Sequence, residues 1–160
     1  MALSALALVA AACGSSGTAA PSSTTTTLPS AAASKAAITK SYETLFDLAS
    51  PAVAPKLAVV QDGSALRATF TKELATPLAK QVTGALVESI TLYFAGTPCS
   101  NELLSPPCGK VSYEILGVKH TPLLAASIGW AIYSGGRWLV AKATICGLLS
   151  LASKTPLAGC

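Results

Sequence analysis

Residues 82–116, VTGALVESITLYFAGTPCSNELLSPPCGKVSYEIL, carry the pattern that decides the fold. Ile90, Leu92 and Phe94 alternate with Ser89, Thr91 and Tyr93, and Val111, Tyr113 and Ile115 alternate with Ser112, Glu114 and Leu116. A period of two sends successive side chains to opposite faces, so each run predicts a half-buried strand. The segment between them is rich in turn residues and bracketed by Cys99 and Cys108. It reads as the tip of a long β-hairpin. Downstream, residues 123–145, LLAASIGWAIYSGGRWLVAKATI, predict a second hairpin with Ser134-Gly135-Gly136 as its turn. The chain then closes with a short apolar segment, CGLLSLA, and a tail returning to Cys160.

Upstream the period changes to that of a helix. Ile38, Tyr42, Leu45, Phe46 and Ala49 share one face of a helix predicted over 35–49. Ser50-Pro51 starts a second short helix that ends near Asp62-Gly63. Ser64 caps a third, with Leu66, Phe70 and Leu74 on one face and Pro77 disturbing its end. Helices followed by strands define an α+β domain, with the helices packed on one face of a curved antiparallel sheet of about four strands. The order resembles the cystatin-like or nuclear-transport-factor-like cone, in which helices close over a bent sheet and leave a pocket.

The first 34 residues are of a different kind. Ala2 to Ala12 is apolar except for Ser4, and no side chain before Lys35 carries a charge. The run is too short to span a bilayer, which takes about 20 residues, but it matches the apolar region of a secretory signal. A signal begins with Lys or Arg, so the true translation start is expected upstream of Met1. Cys13 follows Val9-Ala10-Ala11-Ala12 and resembles the bacterial lipobox, although that pattern usually has Leu where Ala10 stands. It is the odd cysteine among five, and an unpaired thiol in an exported protein needs an explanation. Residues 1–13 are therefore read as a signal and lipobox, with Cys13 lipidated. Residues 14–34, dominated by Ser, Thr, Ala, Gly and Pro, form a disordered tether with an r.m.s. span of about 25 Å. Residues 35–160 form the folded domain. The protein is accordingly expected outside the cytoplasm, lipid-anchored on the outer face of the cell membrane or secreted.

The composition narrows the partners. The chain is 51% hydrophobic and 11% charged, enough apolar material for a core. Its net charge of +4 is thinly spread over 11 basic and 7 acidic residues, with no basic run or face, so nucleic acid is not an expected partner. Cys99, Cys108, Cys146 and Cys160 form no CxxC pair, which removes the zinc-ribbon and thioredoxin readings. In an exported chain four such cysteines make two disulfides, in one of three pairings. Cys99–Cys108 and Cys146–Cys160 are expected because each closes a short local loop.

Two stretches carry a more particular likeness. SYETLFDLASPAVAPKLAVVQDG, followed near the C-terminus by GGRWLVAKATICGLLSL and a terminal cysteine, resembles the actinobacterial lipoproteins and exported proteins related to the mycobacterial low-molecular-weight antigens. The resemblance spans Ser34 to Cys160. It rests on Tyr42-x-x-Leu45-Phe46, Gly136-Arg137-Trp138-Leu139-Val140 and the Cys146/Cys160 pair. It implies a cell-envelope or secreted protein without an assigned activity, and it does not extend to the Cys99–Cys108 insertion.

Nothing in the chain spells out a reaction. His120 is the sole histidine, and no G-x-S-x-G elbow supplies a matching serine. A carboxylate in an apolar pocket would serve an isomerase- or hydrolase-like enzyme, and Asp47, Glu73, Glu88 and Glu114 are the candidates, with Tyr93 or Tyr113 as donor. All four acids read more simply as solvated surface groups. Trp130 shares parity with Ile128 and Ile132, which makes it a core residue of its strand. Core packing is also the simpler reading of Trp138. The alternative for both is the lining of a ligand pocket, together with Phe46 and Phe70. The expected function is a non-catalytic binding or interaction domain, without cofactor or metal, whose partner is an apolar small molecule or an envelope protein. A purely structural or antigenic surface module, with its cone filled by its own side chains, is the remaining alternative.

Overall fold

The computed structural model describes residues 28–101, 103–153 and 157–160. Cys13, the signal segment and most of the expected tether lie outside the described residues. Helix α1 spans Ala31–Phe46, α2 Val53–Ala58, α3 Arg67–Leu74 and α4 Lys142–Ala152. The strands are β1 Gly84–Tyr93, β2 Cys108–Leu116, β3 Pro122–Ser134 and β4 Arg137–Val140. They form one antiparallel sheet in the order β1-β2-β3-β4, an α+β architecture that is not closed into a barrel.

Helix α1 begins four residues before the expected Lys35, for a reason written in its first turn. Ser30 caps it, its hydroxyl accepting the Ala33 N–H at 3.2 Å, and three alanines follow. Alanine has the highest intrinsic helix propensity, and serine is among the best N-caps. The Ser34 side chain is buried and donates to the Pro29 carbonyl, so residues 28–34 belong to the domain. The buried stripe Ile38, Tyr42, Leu45 and Phe46 lies against the inner face of the sheet. That face presents Ile90 and Leu92 from β1, Val111, Tyr113 and Ile115 from β2, and Ala131 from β3.

Strand β2 follows its sequence pattern, with Val111, Tyr113 and Ile115 buried and their neighbours half-buried. In β1 the register shifts between Val87 and Ser89, leaving Glu88 as an extra residue. Such a bulge resets the alternation, which is how Val87 and Ile90, three apart, both reach the core. Phe94 lies past the end of the strand.

Strand β3 reverses the expected parity. Gly129 and Ala131 are buried on the inner face, whereas Trp130 is half-buried on the outer face, its ring 6.1 Å from that of Tyr93. Ile128 is 56% exposed. The cause is Tyr42, reaching across from α1. A Cβ at Gly129 would overlap its hydroxyl and lie 2.8 Å from Thr144 Cγ2 and 2.9 Å from Tyr113 Cε1. The inner face therefore accepts only glycine at position 129, and the neighbouring Ile128 and Trp130 turn outward, while Leu124 and Tyr133 still pack against the core. The hairpin to β4 turns at Gly135 and Gly136, both at positive φ, as a two-residue turn of this hand requires.

Strand β4 is shorter than the second hairpin was expected to make it. It ends at Val140, and residues 142–145 are helical. Gln61 Oε1 accepts the Lys142 N–H, and Thr144 uses its hydroxyl to accept the Trp130 N–H at 2.8 Å. A side chain thus replaces the strand that would have paired there. On its other edge β4 is met by residues 59–61, where Val60 forms a parallel bridge with Val140. The region expected as the end of the second helix therefore meets the sheet edge through an isolated parallel bridge. Lys56, buried in α2, donates to the carbonyls of Ser50 and Ala52 and pins the α1–α2 connection.

Both local cysteine pairs are bonded, Cys99–Cys108 with Cα atoms 6.3 Å apart and Cys146–Cys160 with Cα atoms 5.5 Å apart. The second closes a loop of 14 residues and returns the tail to the body, where Ala158 O accepts the Thr69 hydroxyl at 2.7 Å. A loop of that length stabilises by about 3 kcal/mol through its constraint on the unfolded chain.

Candidate functional site

Where α1 ends, the inner face of the sheet is not fully covered. A cavity of about 220 Å³ opens there. One side is built by Leu45, Phe46 and Leu48 at the end of α1 and by Phe70, Glu73 and Leu74 of α3. Thr76, Leu78, Ala79 and Val82 follow from the connection to β1. The sheet contributes Ile115, Leu123 and Leu124, and α4 contributes Leu148, Leu149 and Leu151. The wall is apolar apart from Glu73 and Thr76. It is left open because α3 stops at Leu74 and the chain turns away through Pro77 before entering β1.

The rim is apolar too. Leu78 is 55% exposed, Leu123 39% and Leu151 74%, and all three line the cavity. Large leucines held in water beside an apolar cavity are the usual mark of a site that is covered when occupied.

A second depression, about 280 Å³, adjoins the first. Strand β4 pairs only with residues 131–134 of β3, so earlier residues of β3 have α4 rather than a strand beside them. The depression lies between Ser127, Ile128 and Trp130 on that edge and Ala143, Thr144 and Gly147 of α4. Leu124, Leu148 and Leu151 belong to both walls, so the two spaces meet across these leucines.

The residues singled out from sequence are divided by the fold. Phe46 and Phe70 line the apolar cavity, Trp130 lines the second depression, and Trp138 lines neither. Trp138 is 3% exposed in the core, its ring 5.4 Å from Tyr133. Of the four acids, Glu73 alone lies in the cavity wall, half-buried. Asp47 is exposed at the end of α1. Glu88 is exposed on the outer face and accepts the Ser112 hydroxyl at 2.7 Å. Glu114 alternates with the buried residues of β2 and faces outward. Tyr93 packs on Trp130 outside the sheet, and His120 is exposed in the turn between β2 and β3. Among the described residues no three His, Cys, Asp or Glu side chains cluster as metal ligands.

Tyr113 lies in the core beside Tyr42 and Phe46, with ring centroids at 5.0 and 5.7 Å. Burial raises the pKa of both phenols above the ordinary tyrosine value. For Tyr42 the neighbouring Tyr113 raises it further, and a hydrogen bond with Thr144 opposes the shift. Both phenols pack under the sheet, and Tyr113 also lines the second depression.

Leu123, Leu124 and the α4 leucines are the part of the site that the sequence did not announce. Ile145, Leu148 and Leu149 fall at i, i+3 and i+4, a helical stripe. It is hidden in an apolar run too short to show its period.

Fold and cavity together define a class: an α+β domain whose helices cover an open four-stranded antiparallel sheet and leave an apolar cavity at one end. No family model matches the chain, and no curated protein or solved structure matches it.

Proposed function

We propose that this domain is an exported binding protein that holds the apolar chain of a small molecule, tethered to the membrane through a lipidated Cys13. The reading is carried by the coincidence of an apolar cavity with a rim of exposed leucines, Leu78, Leu123 and Leu151. At about 220 Å³ the cavity is smaller than the sites of drug-sized ligands, which run from about 300 Å³. Its small volume and a wall built mainly of leucines favour a flexible chain over a rigid ring system. An enzyme would need a second functional group beside the acid; Tyr93 and His120 line neither space, and Tyr113 lines only the second depression, whereas Glu73 lines only the first.

The two disulfides are compatible with an oxidising compartment outside the cytoplasm. Among the described residues no helix is long and apolar enough to cross a membrane. Attachment would come from the N-terminal side, and the cavity lies at the opposite end of α1, about 24 Å along its 16 residues. A tethered domain would present its opening away from the point of attachment.

Titration with n-decanol, followed by backbone amide NMR, is expected to give saturable shifts confined to residues 45–48, 70–82, 115, 123–124 and 148–151. Leu148→Trp, which fills the shared wall, is expected to weaken binding at least tenfold while the rest of the spectrum stays folded. Shifts spread over the surface, or none up to the solubility of the alcohol, would overturn the cavity reading. The anchor has its own check. An intact mass of the membrane-fraction protein should begin at Cys13 and carry acyl chains, and an unmodified mass in the soluble fraction would remove the anchor.

A further inference from the structure

We propose that Glu73 makes the cavity selective for amphiphiles with a cationic head, of which a long-chain primary amine is the simplest. The proposal rests on the reading that the cavity holds an apolar chain, and adds the chemistry of the other end of that molecule. Glu73 is the one ionisable residue in the wall. Thr76 is the only other side chain there with a polar atom, and its hydroxyl is already engaged. It donates to the Glu73 carbonyl at 2.7 Å and accepts the Ala79 N–H at 3.2 Å.

The Glu73 carboxylate has neither a hydrogen bond nor an ion pair among the described residues. The one ion pair among them is Lys40–Glu43, on the exposed side of α1. Lys72 and Lys80, exposed on the same stretch of chain, do not pair with Glu73. Glu73 is half-buried among leucines, and a charge beside an apolar wall acts through a lower effective dielectric than one in open water. An amphiphile seated by its tail brings its head to this group. An ammonium would complete the pair with hydrogen bonds to a charged acceptor. A carboxylate head would meet a like charge, and an alcohol would gain one ordinary hydrogen bond.

The test compares n-decylamine, n-decanol and sodium decanoate against the same protein at neutral pH, by calorimetry and amide NMR. The amine is expected to bind about tenfold tighter than the alcohol, and decanoate more weakly than either. Glu73→Gln should bring the amine to within about threefold of the alcohol, with a much larger loss for the amine than for the alcohol. High salt should narrow the preference in the parent and not in the variant. If decanol binds in the cavity but the three heads are not distinguished, the selectivity of Glu73 is wrong and the cavity reading stands. Equal loss of alcohol and amine binding in Glu73→Gln would make Glu73 a structural residue of the wall and overturn its role in selection. If none of the three binds, the cavity reading fails and this proposal falls with it.

Discussion

Trp138→Ala is expected to lower the unfolding free energy by about 3–5 kcal/mol, the range for emptying a large aromatic site in a core. Trp138 is 3% exposed, packs on Tyr133 and, through its backbone carbonyl, receives the Ser41 hydroxyl from α1 at 3.1 Å. Domains of this size are stable by about 5–15 kcal/mol, so the variant would lie near the edge of folding. Trp138→Phe should behave quite differently. The indole Nε1 is buried without an acceptor among the described residues, and such an unmade bond costs about 1–3 kcal/mol. Phenylalanine gives up part of the ring but also removes the stranded donor. The two terms oppose, and the net cost is expected to stay within about 1.5 kcal/mol. Urea titrations followed by far-UV circular dichroism separate the two variants. If Trp138→Phe costs as much as Trp138→Ala, Nε1 has a partner and the balance drawn here is wrong. Because Trp138 lines neither cavity, Trp138→Phe should bind n-decanol as the parent does.

The strands and helices were legible wherever one face of an element met one environment. Strand β2 alternates cleanly because it is central, with α1 on one side and the outer face of the sheet on the other. The disulfides were legible because each closes its own hairpin tip or tail, a local relation that spacing alone can express. What failed depended on distant residues. The parity of β3 is hidden in the sequence because Trp130 is the larger residue, and hydrophobicity along the strand contains no trace of Tyr42. That side chain lies 88 positions away, donates to the Trp130 carbonyl and leaves room only for Gly129 beneath it. Helix α4 was missed because four leucine and isoleucine residues in 11 positions are as consistent with a buried strand as with a helix. The site suffered from the same limit. Phe46 and Phe70 could be named because each belongs to a predicted helix face. Leu123, Leu124, Leu148 and Leu151 come together only after β3 and α4 have packed. Glu73 was indistinguishable from Asp47, Glu88 and Glu114, since its distinction is the apolar wall around it and not its neighbours in sequence.

Stability is expected to fall steeply above pH 10, and the two core tyrosines supply the reason. Tyr42 and Tyr113 are buried with rings 5.0 Å apart, and burial raises the pKa of each above its ordinary value of 10.0. In the unfolded chain both ionise as the pH passes 10, while in the folded protein they stay neutral. The unfolded state then binds fewer protons than the native state, so the unfolding free energy decreases with pH. The stabilisation is fully present below pH 10 and is lost as the pH rises toward the folded values. Together the two phenols account for about 3 kcal/mol per pH unit, half from each, while both stay protonated in the fold. Tyr42→Phe isolates one of them. At neutral pH it gives up the hydrogen bond to the Trp130 carbonyl, an acceptor that keeps the Ala141 N–H at 2.8 Å, and the one with Thr144, whose hydroxyl keeps the Trp130 N–H. No acceptor is stranded, and the expected cost is about 1 kcal/mol. Above pH 10 the variant escapes half of the tyrosine penalty. Groups common to both proteins, lysines included, cancel in the comparison. Urea unfolding at a series of pH values should therefore show the parent ahead at pH 7, the two curves meeting near pH ~11, and the variant ahead beyond it. Parallel decline of the two proteins would mean that Tyr42 ionises as readily in the fold as outside it, and that the packing of its ring over Gly129 is looser than the structure shows.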